Sequence, residues 1–228
     1  MTSAAAGRVA ALIPAAGSGT RLGADTPKAF IELNSLTLLT RCALTLSRAV
    51  DVIVVAVPEG YVEKASALLS DVDAQIHIVE GGPDRQSSVA RAIAVVPEDV
   101  DVVLVHDAAR PLVPQRVIHS VIEAVRLGAE GVVPVLPVVD TVKRVDAQGT
   151  VTETVNRDSL RRVQTPQGFI RSVLDKVHAD PTMLATDDAG LLEVSGYRVQ
   201  TVLGDERSLK ITTMDDMHIA LSYLEEQL

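Results

Sequence analysis

The sequence predicts an α/β protein with a Rossmann-like core, a mostly parallel sheet carrying helices on both faces. Three observations point there. Short Val/Ile-rich runs alternate with helix-period segments over most of the 228 residues. The runs are near-continuous in apolar residues rather than alternating, which marks strands buried on both faces. Polar, glycine-bearing stretches follow several runs, at the carboxyl ends of strands where doubly wound sheets bind ligands.

The predicted strands are Val9–Ile13, Val52–Val57, Ile76–Val79, Val102–Val105 and Gly131–Val135. Between them, Leu39, Cys42, Ala43 and Leu46 recur at helical spacing, as do Val89, Ile93 and Val96. Ile118, Val121, Ile122 and Val125 follow the i, i+3, i+4, i+7 rule closely. A final helix opens at Thr213-Met-Asp-Asp216, resembling a capping box, and places Met217, Ala220, Leu221 and Leu224 on one face. Asp140 to Val155 breaks the alternation. Two polar, β-prone runs flank Asp-Ala-Gln-Gly there, which signals a hairpin with too little apolar surface for a core of its own. It packs either on another subunit or at the edge of its own sheet. The chain is expected to be one domain, 1–228, with the hairpin region 137–157 as an arm within it.

Composition narrows the function. The net charge is -9 and aromatics are 2% of residues. Nucleic-acid binders concentrate positive charge and stacking rings, so no nucleic-acid partner is expected. A small phosphate ligand remains open, provided a few cations gather locally. One cysteine, Cys42, reads as a buried apolar residue. No apolar run is long enough to span a bilayer, and Met1 to Gly7 has no apolar signal core, so a cytoplasmic protein without a membrane partner is expected.

The chemistry-bearing residues follow the strands. After the first comes Pro14-Ala15-Ala16-Gly17-Ser-Gly19-Thr-Arg21, then Pro27-Lys28. Small residues let backbone N–H groups approach an anion, and Arg21 and Lys28 add charge to the same loop. This string is neither a P-loop, which needs Gly-Lys-Ser/Thr, nor a dinucleotide fingerprint, since Leu22 stands where the third glycine belongs. Gly81-Gly82-Pro83-Asp84-Arg85-Gln86-Ser87-Ser88 reads equally as a capped helix start or as a loop that reads a base through backbone groups and Ser88. His106-Asp107-Ala108-Ala109-Arg110 puts Asp107 at a strand's carboxyl end, with His106 expected to be packed or turn-bonding. Lys210 sits between Leu209 and Ile211 in a strand-like run.

These strings, with Asp140-Thr141-Val-Lys143, Asn156-Arg157, Gln164-Thr165-Pro-Gln167, Thr186-Asp187 and Leu209-Lys210-Ile-Thr212, resemble the 2-C-methyl-D-erythritol 4-phosphate cytidylyltransferase family over nearly the whole chain. The resemblance implies a nucleotidyltransferase core with a β-arm used in homodimerisation. It implies that CTP and a small polyol phosphate are the substrates and that magnesium accompanies the triphosphate, on ligands the sequence leaves open. Arg21 and Lys28 are implied to stabilise the transition state, and Arg157 and Lys210 to position the acceptor phosphate. Asp107, Arg110, Thr141 and Thr165 are implied to hold the polyol, with Ala108 beside them. The loop from Gly82 to Ser88 is implied to recognise cytosine. Pro83 departs from the expected pattern, because proline has no N–H to donate. Ribitol-5-phosphate cytidylyltransferase shares the Thr-Pro-Gln and Lys-Ile-Thr strings and is the nearest alternative. A nicotinamide-dependent oxidoreductase fails on the misplaced glycine and the missing acidic residue. A non-catalytic nucleotide-binding regulator would not need Lys28, Arg157 and Lys210 together.

Overall fold

The structure, a computed structural model, describes residues 7–17, 26–180 and 183–225. Its main sheet is built from β1 (Arg8–Pro14), β4 (Val52–Val57), β5 (Gln75–Glu80), β6 (Val100–Val105), β7 (Gly131–Pro137), β10 (Arg161–Val163), β11 (Gln167–Ile170) and β12 (Val199–Leu203). Across the sheet the order is β5, β4, β1, β6, β11, β7, with β12 on the far edge of β7 and β10 continuing the β11 side of β7. β1, β4, β5 and β6 run parallel, as do β7 and β12, while β11 is antiparallel to both β6 and β7. The five predicted strands are all present, each within two residues of its expected ends.

The sheet has two covered faces because alternate residues of continuous apolar strands point opposite ways. Ala11, Ile13, Ile53 and Val55 face α1 (Leu38–Leu46), α2 (Val62–Leu68) and α4 (Gln115–Arg126). Ala10, Leu12, Val52 and Val54 face α3 (Arg85–Ile93), α5 (Arg171–His178) and α6 (Asp188–Val194). The predicted apolar stripe of α4 is buried at all four positions, and Cys42 is fully buried on α1. Gly168 on β11 lets α4 come close, since a Cβ there would meet Val121 at 2.4 Å. α7 (Met214–Glu225) packs Met217 and Ala220 over a small hairpin, β2 (Glu32–Leu33) and β3 (Leu36–Thr37), as its one-sided pattern requires. Asp216 caps this end by accepting bonds from the backbone and hydroxyls of Thr212 and Thr213.

One expectation changes. Leu209-Lys210-Ile211 is no strand: it is a single extended passage after a short 3-10 turn, tied to the body by Ile211 N–H donating to Ala109 O at 2.8 Å. Alternation suggested a strand, but no neighbouring strand is there to pair it. The hairpin is real, formed by β8 (Val142–Val145) and β9 (Val151–Val155), yet it stands as a separate two-stranded sheet rather than an edge of the main one. It leaves β7 at Pro137 and returns through Arg157. Val139, Val145 and Val151 on it are 67%, 54% and 54% exposed. No helix among the described residues is long and apolar enough to cross a membrane.

Candidate active site

The chain leaves β1, adds β4 and β5 on one side, then crosses to place β6 on the other. That reversal opens a crevice at the carboxyl ends of β1 and β6. A cleft of about 390 Å³ lies there.

Its first wall is Pro14, Ala15, Ala16 and Gly17, and Lys28 also lines it. Ala15 N–H donates to Ala56 O at 2.7 Å, fixing the loop to β4. A Cβ built on Gly17 would meet nothing within 4 Å among the described residues, and Gly17 lines the cleft. The second wall is the glycine turn after β5. Gly81 N–H donates to Val57 O, and a Cβ at Gly81 would meet the Ala16 side chain at 2.6 Å. Glycine is therefore what lets the two loops touch. Asp84 and Ser87 form a full capping box at the start of α3. Ser88 is buried; its hydroxyl donates to Asp84 O at 2.7 Å and accepts from Gly82 N–H at 3.0 Å, so it braces the loop from beneath while bordering the cleft. Gly82 and Pro83 line the same wall.

The third wall carries the charge. Asp107 and Ala108 follow β6, and Asp107 is the hub of three cations. Lys210 Nζ lies 2.8 Å from one carboxylate oxygen, Arg85 Nε 3.5 Å from the other, and Arg110 Nε 3.9 Å away. Burial alone would raise the Asp107 carboxyl, but Arg85, Lys210 and Arg110 outweigh it and hold it well below the usual carboxylate range. Arg85 also reaches Asp188 at 2.6 Å, and Asp188 is held from behind by His178 at 2.9 Å. Burial of Asp188 is likewise outweighed, by His178 and Arg85, so its carboxyl is depressed too. Three cations thus face two carboxylates, and Lys28 and Asp84, which both border the cleft, add one charge of each sign. An acidic chain has gathered net positive charge at one spot.

Beneath Asp107 runs a chain of hydrogen bonds that fixes the state of His106. The Arg110 carbonyl can only accept, so His106 Nε2 carries the proton and donates to it at 3.1 Å. Nδ1 then accepts from the Thr165 hydroxyl at 3.0 Å, and Thr165 oxygen accepts from Asp107 N–H at 3.1 Å. Burial pushes the imidazole down to about 4, in keeping with this neutral form. With both nitrogens engaged, His106 is a packed support, as the sequence led one to expect.

The predicted site residues divide accordingly. Pro14, Ala15, Ala16, Gly17, Lys28, Gly82, Ser88, Asp107, Ala108 and Lys210 line one cleft. Arg110 and Thr165 sit behind it, Arg110 donating to Ser208 O at 2.6 Å. Thr141 and Arg157 are exposed on the arm and do not line this cleft; the Arg157 guanidinium donates to Val139 O. Gly19 and Arg21 lie outside the described residues. Arg85 stands in the second glycine loop without a role the sequence could assign, and Asp188 and His178, which complete the charge cluster, carry no sequence signal of their own. Asp187, by contrast, explains its motif structurally: it caps α6 through Gly190 N–H and accepts from Gln167 Nε2 at 2.6 Å.

A doubly wound sheet with two glycine loops and a cationic cluster at its switch point defines a nucleotide-handling enzyme of the nucleotidyltransferase class. The family model for 2-C-methyl-D-erythritol 4-phosphate cytidylyltransferase matches residues 9–226, and the chain belongs to that family. The Rhodococcus jostii 2-C-methyl-D-erythritol 4-phosphate cytidylyltransferase is 48% identical over 222 residues, covering 96% of each chain. Among solved structures, the Thermus thermophilus cytidylyltransferase of the same name superposes with a TM-score of 0.80 at 34% identity, covering 96% of this chain and 99% of that one. The 4-diphosphocytidyl-2C-methyl-D-erythritol synthase of Anaerococcus prevotii gives a TM-score of 0.83 at 28% identity, over 96% and 99% of the two chains.

Proposed function

We propose that the cleft transfers CMP from CTP to 2-C-methyl-D-erythritol 4-phosphate, releasing pyrophosphate and forming the diphosphocytidyl alcohol of isoprenoid precursor synthesis. The observation that carries this is the Asp107 hub, with Lys210, Arg85 and Arg110 on one carboxylate between two glycine loops. CTP lies along the loops after β1 and β5, with cytosine against Gly82–Ser88 and the triphosphate over Ala15–Gly17. The acceptor lies on the Asp107–Lys210 side.

In the reaction an oxygen of the acceptor phosphate attacks the α-phosphorus of CTP. The new P–O bond forms as the bond to the β-phosphate oxygen breaks, and pyrophosphate leaves in line. The nucleophile is already ionised, so positioning and charge neutralisation do the work rather than an acid–base residue. A neutral, fully bonded His106 agrees with that. Lys28 and Arg21 offset charge that builds on the triphosphate in flight, and Lys210 holds the acceptor phosphate. Magnesium that keeps several waters and rests mainly on phosphate oxygens needs only one or two carboxylates. Asp107 is already taken up by three cations, so Asp84, which borders the cleft, is the carboxylate that would help hold the ion, and the ion would supply further neutralisation of the triphosphate.

The arm is proposed to dock on a second subunit in a homodimer, bringing Arg157 and Thr141 to the partner's acceptor site. Its exposed valines and its lack of a core support this. The single buried cysteine fits a reducing, cytoplasmic setting.

The test is pyrophosphate release with magnesium and each nucleoside triphosphate, against methylerythritol phosphate and ribitol phosphate. CTP with the erythritol acceptor should give the highest kcat/KM. Faster turnover of ribitol phosphate would move the acceptor assignment to the alternative.

A further inference from the structure

Arg85 is the first residue of α3, and its guanidinium spans two carboxylates from different parts of the fold. Nε lies 3.5 Å from Asp107 and Nη1 2.6 Å from Asp188. The Asp188 side chain is 1% exposed and its other oxygen is 2.9 Å from His178 Nε2, itself a 3% exposed side chain on α5. Asp188 is therefore an anchor that cannot follow a ligand, and the arginine it holds is fixed at the cleft wall.

The consequence falls on Lys210. Asp107 presents one negative charge, and Lys210 Nζ sits on it at 2.8 Å. Before Lys210 can grip an acceptor phosphate, it must loosen from that carboxylate. With Arg85 drawing on the same carboxylate from its other oxygen, the hold on Lys210 is shared and weakened. Without Arg85 only Arg110, 3.9 Å away, would still share the carboxylate with Lys210, and the charge of the buried acid would turn more fully on the lysine. A lysine, as a compact point charge on a flexible stem, then becomes the captive of the carboxylate.

We infer that Arg85, anchored on Asp188, is a positioning residue that keeps the Asp107 carboxylate occupied and so leaves Lys210 free to take the acceptor phosphate. This rests on the proposed role of Lys210. Arg85 does this by holding Asp107, and its effect should therefore show on the acceptor and far less on CTP.

Steady-state kinetics on Arg85→Ala should give an acceptor KM raised about 10-fold, with the CTP KM changed less than about 3-fold. Loss of folded protein would lower apparent kcat and leave both KM values in place, so the selective KM rise separates positioning from mere support. Arg85→Lys, which keeps a charge beside Asp107, should recover part of the acceptor KM. Because Arg85→Ala leaves Asp188 short of a counter-charge, Arg85→Ala/Asp188→Asn is made as well. It removes both charges, is expected to fold, and should show the same rise. Lys210→Ala is the control for the underlying reading. If Lys210→Ala leaves the acceptor KM unchanged, the acceptor-phosphate role of Lys210 fails. If Lys210→Ala raises it and neither Arg85 variant does, the role of Arg85 is overturned.

Discussion

An arginine meets a carboxylate at almost the same distance in the cleft and on the arm, and the two contacts do different things. Arg85 reaches Asp188 at 2.6 Å with the acid 1% exposed, while Arg144 reaches Glu153 at 2.8 Å with both side chains more than half exposed. The cleft pair is drawn from α3 and α6, 103 residues apart, and is tied into His178, Asp107 and Lys210. The arm pair joins facing residues of one hairpin, β8 and β9, and touches nothing beyond it. Distance alone is a poor guide. Burial and connection decide whether a pair organises a site or merely decorates a surface. By this measure the charge cluster of the cleft is assembled by burial within one chain, whereas the contacts of the arm stay within its own hairpin.

The largest effect expected from this contrast comes from separating the two regions in one dimer. Lys28 borders the cleft of its own chain, whereas Arg157 sits at the base of the arm. Lys28→Ala and Arg157→Ala homodimers should each lose about 10²-fold or more in kcat, because both residues act on transition-state charge and position. Unfolding and refolding an equimolar mixture gives mixed dimers in about half of the pairs. Each has one site with both defects and one with neither, so roughly a quarter of wild-type activity per site should return. Mixed dimers confirmed by tag pull-down yet inactive would mean that Arg157 serves its own chain, and the acceptor site would then need nothing from a second subunit.

The same contrast governs what the sequence disclosed. β1, β4, β6 and β7 were legible because each is a near-continuous apolar run, and burial on both faces leaves that mark on composition; β5, a partly buried edge strand, was legible from Ile76, Ile78 and Val79 around His77. β11 and β12 were not. β11 has four residues with Gly168 among them, and β12 alternates weakly as an edge strand. Their identity depends on what β7 offers as a neighbour, which no local pattern records. The glycine loops and Asp107 were legible for a similar reason, since they follow recognisable strands. Arg85, Asp188 and His178 were not, because three helices have to fold before those side chains meet. Lys210 stands out in the sequence as a lone charge between Leu209 and Ile211, and the alternation around it is real, but its fixed place comes from Ile211 bonding to Ala109 rather than from a strand.

A second effect tests how firmly the cleft floor is built. The pKa of His106 falls from 6.5 to about 4 on burial, so between those values the unfolded chain binds a proton that the folded one refuses. Stability should be full above pH 6.5 and decline as acid approaches pH 4, by on the order of 3 kcal/mol for a shift of this size. The depressed carboxyls of Asp107 and Asp188 act in another window, their contribution being lost only as pH falls below 3.8. Urea unfolding at stepped pH should therefore show a slope between pH 6.5 and 4 that His106→Gln removes. Parallel profiles for wild type and variant would mean that the chain from Asp107 through Thr165 to His106 does not hold the imidazole neutral.

The smallest effect belongs to the arm, and it bears most directly on what the arm is for. On a lone subunit, the Arg144–Glu153 pair is solvated on both sides, and its Coulomb gain is offset by the entropy of fixing two long side chains. A double-mutant cycle of Arg144→Ala and Glu153→Ala, read by urea unfolding at low protein concentration, should give a coupling within about 1 kcal/mol. Arg85→Ala, leaving a buried acid with one partner instead of two, should by contrast cost about 3 kcal/mol. A small arm coupling preserves the contrast between a site organised by burial and a hairpin that is not. A coupling well above about 1 kcal/mol that grows with protein concentration would dissolve it, because only desolvation by a second subunit makes such a pair strong. The arm would then be one side of a buried surface, and its valines, exposed in the single chain, would be the residues that surface covers.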